Sequence, residues 1–367
     1  MKKKICHLTS VHPRYDIRVF IKECQSLAQN GFDVSLVVAD GLGDEVKEGV
    51  KIYDVGAVNS RKERILKARK KVFLKAKELK CDIYQFHDPE LMFLGLKLRK
   101  NGVKVIYDIH EDLTKQIKIK PWIHKSLRGI ISFFFEKVEN FVVKKVDAVV
   151  VPQPYMYSVY SKKNKNTTLV ENFVILQSKN ATLENINYAN KTCFHAGALS
   201  LERGVLNMVR AFSKINDGSD LVLAGNINDV TLNQCKEELG WNQTKYLGII
   251  PYESVLEQYN NSSIGLILYN NVGQYYLSYA IKLFEYMLKG MPVIMPNFGE
   301  WVSFNEENNC GINVDPTNTD QVANAIMYLN KNPELKKKLG ENGKKAVIEK
   351  YNWSIAEKRL MELYKSI

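Results

Sequence analysis

Two residues on one predicted helix have the types and spacing to hold a nucleotide. Lys282 and Glu285 stand three apart in "LSYAIKLFEYMLKGMPVIMP" (277–296), beside Tyr279 and Tyr286. An ammonium suits a phosphate. An ionised carboxylate, which only accepts hydrogen bonds, suits a ribose diol. The plainer reading is a solvated salt bridge between the two. Three other turns could contribute. In "HAGALSLERGVLNMV" a strand ends at Gly197 and Arg203-Gly204 opens a helix. Helix N-termini attract phosphate, and an arginine there adds bidentate contacts. In "VLAGNIND", Gly225 permits a tight turn beside a ligand. In "YNNVGQYYLS", Ser278 is read as the N-cap of the Lys282 helix.

The first half of the chain holds a second set. "YDIHED" places His110, Glu111 and Asp112 after a strand, and "FHDPEL" places His87, Asp88 and Glu90 at the end of a neighbouring one. A histidine there is a credible acid–base or hydrogen-bonding group, although a lone histidine is more often structural. Clustered His, Asp and Glu also resemble metal ligands. No H-x-x-x-H or Asp-x-Asp spacing occurs, so no metal site is expected.

The elements that must position these residues alternate with regularity. "KICHLTS" (4–10) reads as a strand, and "DIRVFIKECQSLAQNG" (16–31) as a helix with apolar residues at helical spacing and Gly31 as its stop. Further strands are expected at 33–39, near 51–55, and at 82–86, 103–109 and 146–151. After residue 191 the rhythm resumes with strands at 192–197, 220–225, 245–248, 263–269, 292–296 and 310–315 and helices between them. Such alternation predicts parallel sheets covered by helices on both faces. The Asn-rich "QSKNATLENINYANK" (177–191) reads as a linker between two domains. Ligands of open α/β sheets bind beyond the carboxyl ends of strands, where the candidate residues lie.

Composition narrows the class. The chain has 367 residues, enough for two domains, with 45% hydrophobic and 25% charged residues. Its six cysteines are scattered without CxxC pairs, which fits a reducing cytosol rather than a disulfide framework. The basic N-terminus has too short an apolar stretch for a signal peptide, and no apolar run could span a bilayer. The net charge of +12 is uneven: residues 1–175 hold 33 Lys+Arg and 20 Asp+Glu, the rest 19 and 20. The basic stretches 59–80 and 115–145 suggest an anionic surface. The second, with Trp122, Ile123 and Phe133–Phe135, suits a bilayer interface. The alternative is that the aromatics are core and the lysines merely solvating. No nucleic-acid module is present.

Taken in order, these stretches resemble family 4 glycosyltransferases, which move a sugar from a nucleotide donor with retention at the anomeric carbon. "YAIKLFEYMLKGMPVI", "GALSLERG", "YLGIIPYESVLEQYNNSSIGLILY", "SVHPRYDIRVFIKECQSLAQNGFDVSLVV", "FHDPEL" and "VIYDIHED" carry the resemblance over essentially the whole chain. It implies a GT-B fold: two doubly wound Rossmann-like domains with a cleft between them and a final helix returning to the first. The expected bounds are 1–176 for an acceptor-binding domain, 177–350 for a nucleotide-sugar domain and 351–367 for the returning helix. The resemblance implies that His110, Arg203 and Lys282 serve the reaction. Gly197, Arg203, Gly225, Ile249, Ser278, Lys282 and Glu285 would bind a UDP- or GDP-sugar, and Arg14, Asp16, Arg18, His87, Asp88 and Glu111 would lie on the acceptor side. No cofactor or metal is implied. The acceptor would be a lipid-linked saccharide at the cytoplasmic face of the cell membrane, in bacterial surface-polysaccharide assembly.

Three departures from the family pattern stand out. Leu277 occupies the place of the first glutamate of a Glu-x7-Glu pair, which commonly contacts the donor sugar. Gly197-Ala198 replaces a frequent Gly-Arg, leaving Arg203 and Lys282 to share the phosphate, and "HPRYDIR" (12–18) replaces an N-terminal Gly-Gly loop. A nucleotide-sugar epimerase of the same fold and a non-catalytic scaffold are the alternatives.

Overall fold

A computed structural model of the protein describes residues 2–58, 60–99, 102–120, 122–176 and 186–367. The chain divides into two compact units. The first comprises Met1–Asn172 with Trp353–Ile367, and the second Phe173–Asn352.

The first unit is built on eight strands: β1 (Lys4–Leu8), β2 (Asp33–Val38), β3 (Glu45–Lys47), β4 (Val50–Asp54), β5 (Ile83–Phe86), β6 (Lys104–Asp108), β7 (Ala148–Val151) and β8 (Thr167–Leu169). Their order is β3-β4-β2-β1-β5-β6-β7-β8, parallel except for the β3–β4 pair. Every residue of β5 and β7 is buried. That is why these strands read as unbroken apolar runs rather than alternating ones: helices cover both faces of the sheet. The chain winds outward from β1 through β2 and returns to β5 on its other side, so β1 and β5 flank the point where the winding reverses. The register aligns Leu8 with Phe86 and Phe86 with Tyr107. The residues just beyond, Thr9, His87 and Asp108, are therefore neighbours at one edge of the sheet.

Helix α1 runs as Ile17–Cys24 and continues as Gln25–Gln29. Asp16 starts it: Oδ1 accepts the amides of Arg18 at 2.8 Å and Val19 at 2.9 Å. Such a cap is worth about 1 kcal/mol. The basic stretch 61–79 is helical, with Ala68, Val72 and Ala76 inward. Helix α2 (Lys125–Val143) follows β6.

The second unit has six parallel strands: β9 (Cys193–Ala196), β10 (Leu221–Ala224), β11 (Thr244–Tyr246), β12 (Ile264–Leu266), β13 (Val293–Pro296) and β14 (Gly311–Val314). Their order is β11-β10-β9-β12-β13-β14, with the reversal between β9 and β12. Helix α3 (Val205–Phe212) follows β9, α4 (Tyr252–Asn260) follows β11, and α5 (Ile281–Lys289) links β12 to β13. Helix α5 buries Leu283, Phe284, Met287 and Leu288 and stops at Gly290, whose φ of 78° is the left-handed conformation a glycine stop supplies.

Two expectations are modified. Ser278 does not cap α5. The helix begins three residues later behind Ala280, with no side-chain cap, while the Ser278 hydroxyl donates to the Gln274 carbonyl at 2.9 Å. Of the expected linker, 177–185 lies outside the described residues, and the remainder is anchored. Ile186 is buried, the Tyr188 hydroxyl donates to Gly290 O at 3.1 Å, and Lys336 Nζ donates to Asn190 O at 2.9 Å.

The last helix, α6 (Trp353–Ser366), packs in the first unit, as expected. Trp353 Nε1 donates to Ser26 Oγ at 2.9 Å, and Leu360, Met361, Leu363 and Tyr364 are buried.

Candidate active site

In the second unit the turns after β9 and β10 stack backbone on backbone. Gly197 has φ 116° and Gly225 φ 141°, both in the region that favours glycine. A Cβ on Gly225 would stand 1.8 Å from the Gly197 carbonyl oxygen, and one on Gly197 would stand 3.1 Å from Lys282 Nζ. Glycine is thus required at Gly225 by backbone contact, and at Gly197 it leaves room for a lysine.

Lys282, only 6% exposed, enters from the first turn of α5. Its Nζ lies 3.0 Å from His195 Nε2, and His195 Nδ1 lies 2.7 Å from the Leu266 carbonyl. A carbonyl only accepts, so the His195 proton sits on Nδ1 and Nε2 accepts from Lys282. Arg203 converges from the other side. Its Nε donates to the Tyr275 hydroxyl at 3.2 Å. The Tyr269 ring centroid lies 5.7 Å from the Arg203 Cζ and 5.6 Å from Lys282 Nζ. Burial and then the Arg203 charge hold the Lys282 ammonium well below the usual lysine pKa. Burial and then Lys282 do the same to His195. A buried lysine held beside a half-buried arginine is what an anion would relieve. Helices α3 and α5 both begin without a side-chain cap, although the Val205 amide reaches Ser200 O at 3.3 Å and the Leu283 amide reaches Ala280 O at 3.0 Å.

Lys282 and Glu285 are not a salt bridge: among the described residues no ion pair joins them. The Glu285 carboxylate instead accepts from the Tyr259 hydroxyl at 2.7 Å and the Tyr252 hydroxyl at 3.3 Å. These bonds orient it and leave acceptor capacity on both oxygens. Ile249 is 78% exposed on the loop before α4, and Leu277 is half-buried ahead of α5. Gly197, Arg203, Gly225 and Lys282 therefore come together, whereas Glu285 lies on the side of α5 facing α4.

In the first unit the ends of β1, β5 and β6 carry a buried polar cluster. Asp108 Oδ1 accepts from Arg18 at 3.0 Å; its Oδ2 lies 3.1 Å from both His87 Nδ1 and His110 Nε2. Those two nitrogens are 3.0 Å apart. His87 Nε2 lies 3.0 Å from His7 Nδ1. Arg18 also reaches Glu23 at 3.2 Å and the Val170 carbonyl at 2.9 Å. Asp108, despite burial, is held well below the usual carboxylate range, first by Arg18 and then by His110. Burial pushes His87 down to about 4 and His7 well below its usual value, so both are neutral. Asp88 Oδ2 accepts from the Ser10 amide at 2.5 Å and the Thr9 hydroxyl at 3.0 Å. His12 stands 3.2 Å from Asp16 and packs its ring on His110 with centroids 4.6 Å apart.

His87, Asp108 and His110 are close enough to share an ion, as are His7, Glu23 and His87. Motif spacing gave no sign of this, because the residues come from different strands. Arg18 already neutralises Asp108, however, donating to its two oxygens at 3.0 and 3.3 Å, and a further cation on that carboxylate would be repelled by the guanidinium.

Not every expected acceptor-side residue joins this cluster. Arg14 is committed to the 40–45 loop, donating to Asp40 at 2.7 and 2.8 Å and to Glu45 at 2.7 Å. Glu111 turns outward to Gln116 at 2.5 Å. Arg18 does join the cluster, buried as the partner of Asp108. Conversely, sequence reasoning missed His7, His12, Asp108 and Tyr364 in the first unit and His195, Tyr269 and Tyr275 in the second. A histidine inside each apolar strand, His7 and His195, and the four-residue spacing of His12 and Asp16 were the available signals.

Two family descriptions match the chain: glycosyltransferase family 4 over residues 18–178, and glycosyl transferases group 1 over 179–346. A curated relative, an uncharacterized glycosyltransferase of Methanocaldococcus jannaschii (MJ1607), is 25% identical over 179 residues. That match covers 48% of this chain and 45% of the relative, so the chain matches less than half of the relative's length. Among solved structures, sucrose-phosphate synthase from Thermosynechococcus elongatus superposes with a TM-score of 0.77 at 16% identity, covering 100% of this chain and 99% of that one. Anabaena Alr3699/HepE, solved in complex with UDP and glucose, superposes with a TM-score of 0.72 at 12% identity and full coverage of both chains. The two family matches together take in nearly all of the chain, and the fold of both sheets agrees with them: the chain belongs to the group 1, family 4 glycosyltransferases and has the GT-B fold.

Proposed function

We propose that the protein transfers a sugar, with retention, from a UDP- or GDP-sugar to a lipid-linked saccharide in bacterial surface-polysaccharide synthesis. The observation that carries the donor half is the convergence of Arg203 and Lys282 on Gly197, beside two uncapped helix N-termini. Breaking a sugar–phosphate bond leaves positive charge on the ring and negative charge on the departing diphosphate. In this reading Arg203, Lys282 and the two helix ends stabilise that diphosphate without a metal. Glu285 accepts the ribose hydroxyls, and the Ile249 loop lies against the base. The first unit binds the acceptor, with His110 serving the reaction. Retention proceeds by attack on the face the phosphate leaves, the phosphate helping to take the acceptor proton. This part rests on the family likeness, as does the polysaccharide role.

Attachment to the cytoplasmic face of an anionic membrane is part of the same reading. No helix among the described residues is long and apolar enough to cross a bilayer. Helix α2 packs Phe135, Val138, Val142 and Val143 on the core, yet its other side is also apolar. Leu127, Ile130, Ile131 and Phe134 recur three or four apart on its exposed side, with Phe141 two turns further on, while Ser132 and Glu139 are buried. Lys120 sits 4.9 Å from the ring of exposed Trp122, Lys137 5.1 Å from Phe133 and Lys145 5.0 Å from Phe141. An apolar stripe edged with lysines suits an interface of acyl chains and anionic headgroups.

The test is titration with UDP, GDP and their sugars in the presence of EDTA, then incubation of the bound donor with a lipid-linked oligosaccharide. Binding plus a product that keeps the donor's anomeric configuration supports the reading. Isomerised donor without acceptor would indicate an epimerase, and absence of nucleotide binding a scaffold.

A further inference from the structure

The chain that leaves β12 holds the Arg203 turn at several points. Asn270 makes most of these contacts. Its backbone N–H donates to the Glu202 carbonyl at 2.9 Å, and its side-chain Nδ2 donates to the Leu201 carbonyl at 2.7 Å. A carbonyl only accepts, so the Asn270 amide has one orientation, with nitrogen toward Leu201 and Oδ1 toward Asn207. That Oδ1 accepts from Asn207 Nδ2, on α3, at 3.1 Å. One residue therefore bonds the two successive carbonyls just ahead of Arg203 and the helix just after it. Gly204 completes the turn. Its φ is 76°, and a Cβ there would stand 1.8 Å from the Leu268 carbonyl oxygen. The turn thus lies against the end of β12, with its direction set at residues 201, 202 and 204. Further along the same loop, the Tyr275 hydroxyl accepts from Arg203 Nε at 3.2 Å. Tyr275 is itself anchored. Its carbonyl accepts from the indole Nε1 of buried Trp301 at 2.8 Å, and its ring centroid lies 4.6 Å from that of Tyr269. The next carbonyl, Tyr276 O, accepts the Glu300 amide at 3.1 Å.

We propose that Asn270 and Tyr275 are positioning residues: together they bracket Arg203 and fix it in place before an anion arrives. Asn270 holds the backbone on which the arginine stands, and Tyr275 holds its guanidinium. The physical reason is entropy. An arginine has many rotamers, and one that must be ordered on contact gives up part of its affinity, whereas one already ordered does not. Asn270 is half-buried, and its side-chain hydrogen bonds go to the Arg203 turn and to α3, so its effect is local to that turn. Trp301 acts one step further out, holding the Tyr275 backbone from the helix Glu300–Asn308. That the anion is a nucleoside diphosphate rests on the donor reading above; the bracket itself does not.

The experiment has a nucleotide-free half and a nucleotide half, both on the full chain. Proton–nitrogen NMR reads the arginine Nε–H groups, and Arg203→Lys identifies the Arg203 signal. The expected result is a resolved, slowly exchanging Arg203 Nε–H in the wild type. Tyr275→Phe removes only the accepting hydroxyl; Asn270→Ala removes the side-chain bonds and keeps the backbone one. Each should move the signal toward the position and exchange rate of a free arginine. Calorimetric titration with UDP and GDP reads the consequence. Each variant should bind about 3- to 10-fold more weakly, the cost of ordering one long side chain on binding. In an Arg203→Met background the same two substitutions should have no further effect, because residues that act through Arg203 have nothing left to position. A free-arginine signal in the wild type, a signal unchanged in either variant, or the same loss of affinity repeated in the Arg203→Met background would overturn the proposal. Because the nucleotide-free spectra suffice, a background too weak to titrate does not remove the test. An ordered Arg203 signal that both variants release, with no binding of either nucleotide, would leave the bracket standing and sink the donor reading.

Discussion

Replacing Lys282 by methionine should separate ligand binding from stability. The ammonium is buried and donates to His195 Nε2 at 3.0 Å, and the Arg203 charge acts on it more strongly than the Glu285 carboxylate does. In the nucleotide-free protein it is a burden, and removing a buried charge in favour of an apolar side chain is commonly neutral or stabilising by about 1–4 kcal/mol. Against this, His195 Nε2 loses its donor, at a cost of about 1–3 kcal/mol. The two nearly cancel, so urea unfolding should place Lys282→Met within about 1 kcal/mol of the wild type. Nucleotide binding should respond differently. Loss of a buried, charge-assisted contact to a diphosphate costs about 2–4 kcal/mol, or roughly 30- to 700-fold in Kd. Calorimetric titration with UDP and GDP reads this directly.

The same residue sets a pH dependence. Its pKa is depressed in the fold and ordinary in the unfolded chain, so between the two values the unfolded state holds more protons. Stability therefore rises with pH through that window. A bound diphosphate pulls the pKa back up, so binding takes up a proton and weakens as pH rises past the depressed value. The enthalpy should then vary with the ionisation enthalpy of the buffer. Unchanged nucleotide affinity in Lys282→Met, or a stability loss of about 3 kcal/mol or more, would show that the lysine is structural and refute the reasoning.

Asp108→Asn should cost about 2–3 kcal/mol in urea unfolding, because it leaves the Arg18 guanidinium, 5% exposed, with only Glu23 at 3.2 Å to pair with. Gly225→Ala should cost about 2–4 kcal/mol, since its Cβ would stand 1.8 Å from the Gly197 carbonyl at a φ of 141°. Burial raises the Glu139 carboxyl, which accepts from Tyr160 at 2.6 Å, from 4.5 to about 7. The fold keeps that proton while the unfolded chain releases it, so stability should fall by about 3 kcal/mol as pH rises from 4.5 to 7 and then level off. Glu139→Gln should flatten the slope in melts at those two pH values. The double variant Ile130→Ser/Phe134→Ser should lose about 2–3 kcal/mol of partitioning, roughly 30- to 140-fold, in flotation with anionic vesicles while its unfolding is unchanged. Retained flotation would take the α2 stripe out of the membrane reading.

The α/β alternation was legible because a buried parallel strand needs a continuous apolar run and a covering helix needs a 3.6-residue stripe. Both periodicities are local properties of the chain. The turns after the strands were legible for the same reason, and they led to Gly197, Gly225, His87 and His110. The start of α5 was misread at Ser278, because a serine ahead of an apolar run is a cap only if its own backbone is poised at the first turn. Here the 273–277 turn draws its hydroxyl back to Gln274. Arg14 and Glu111 were read as acceptor-side from their neighbours in sequence; the contacts that occupy them, with Asp40, Glu45 and Gln116, lie in other turns.

By itself, the sequence determined which residue types arrive at the ends of which strands, since that follows from periodicity and turn chemistry along one stretch. Only the tertiary structure decided what each of them meets. Spacing placed Lys282 and Glu285 on one helix face. The rotation of α5 against β9 and α4 sends the lysine to His195 and the glutamate to two tyrosines. His7, Gln85 and Tyr364 stand up to 357 residues apart and become one hydrogen-bonded chain only when sheet register and the last helix bring them together. A proton's place on a histidine depends on every partner in such a chain, and those partners are set by packing rather than by order along the sequence.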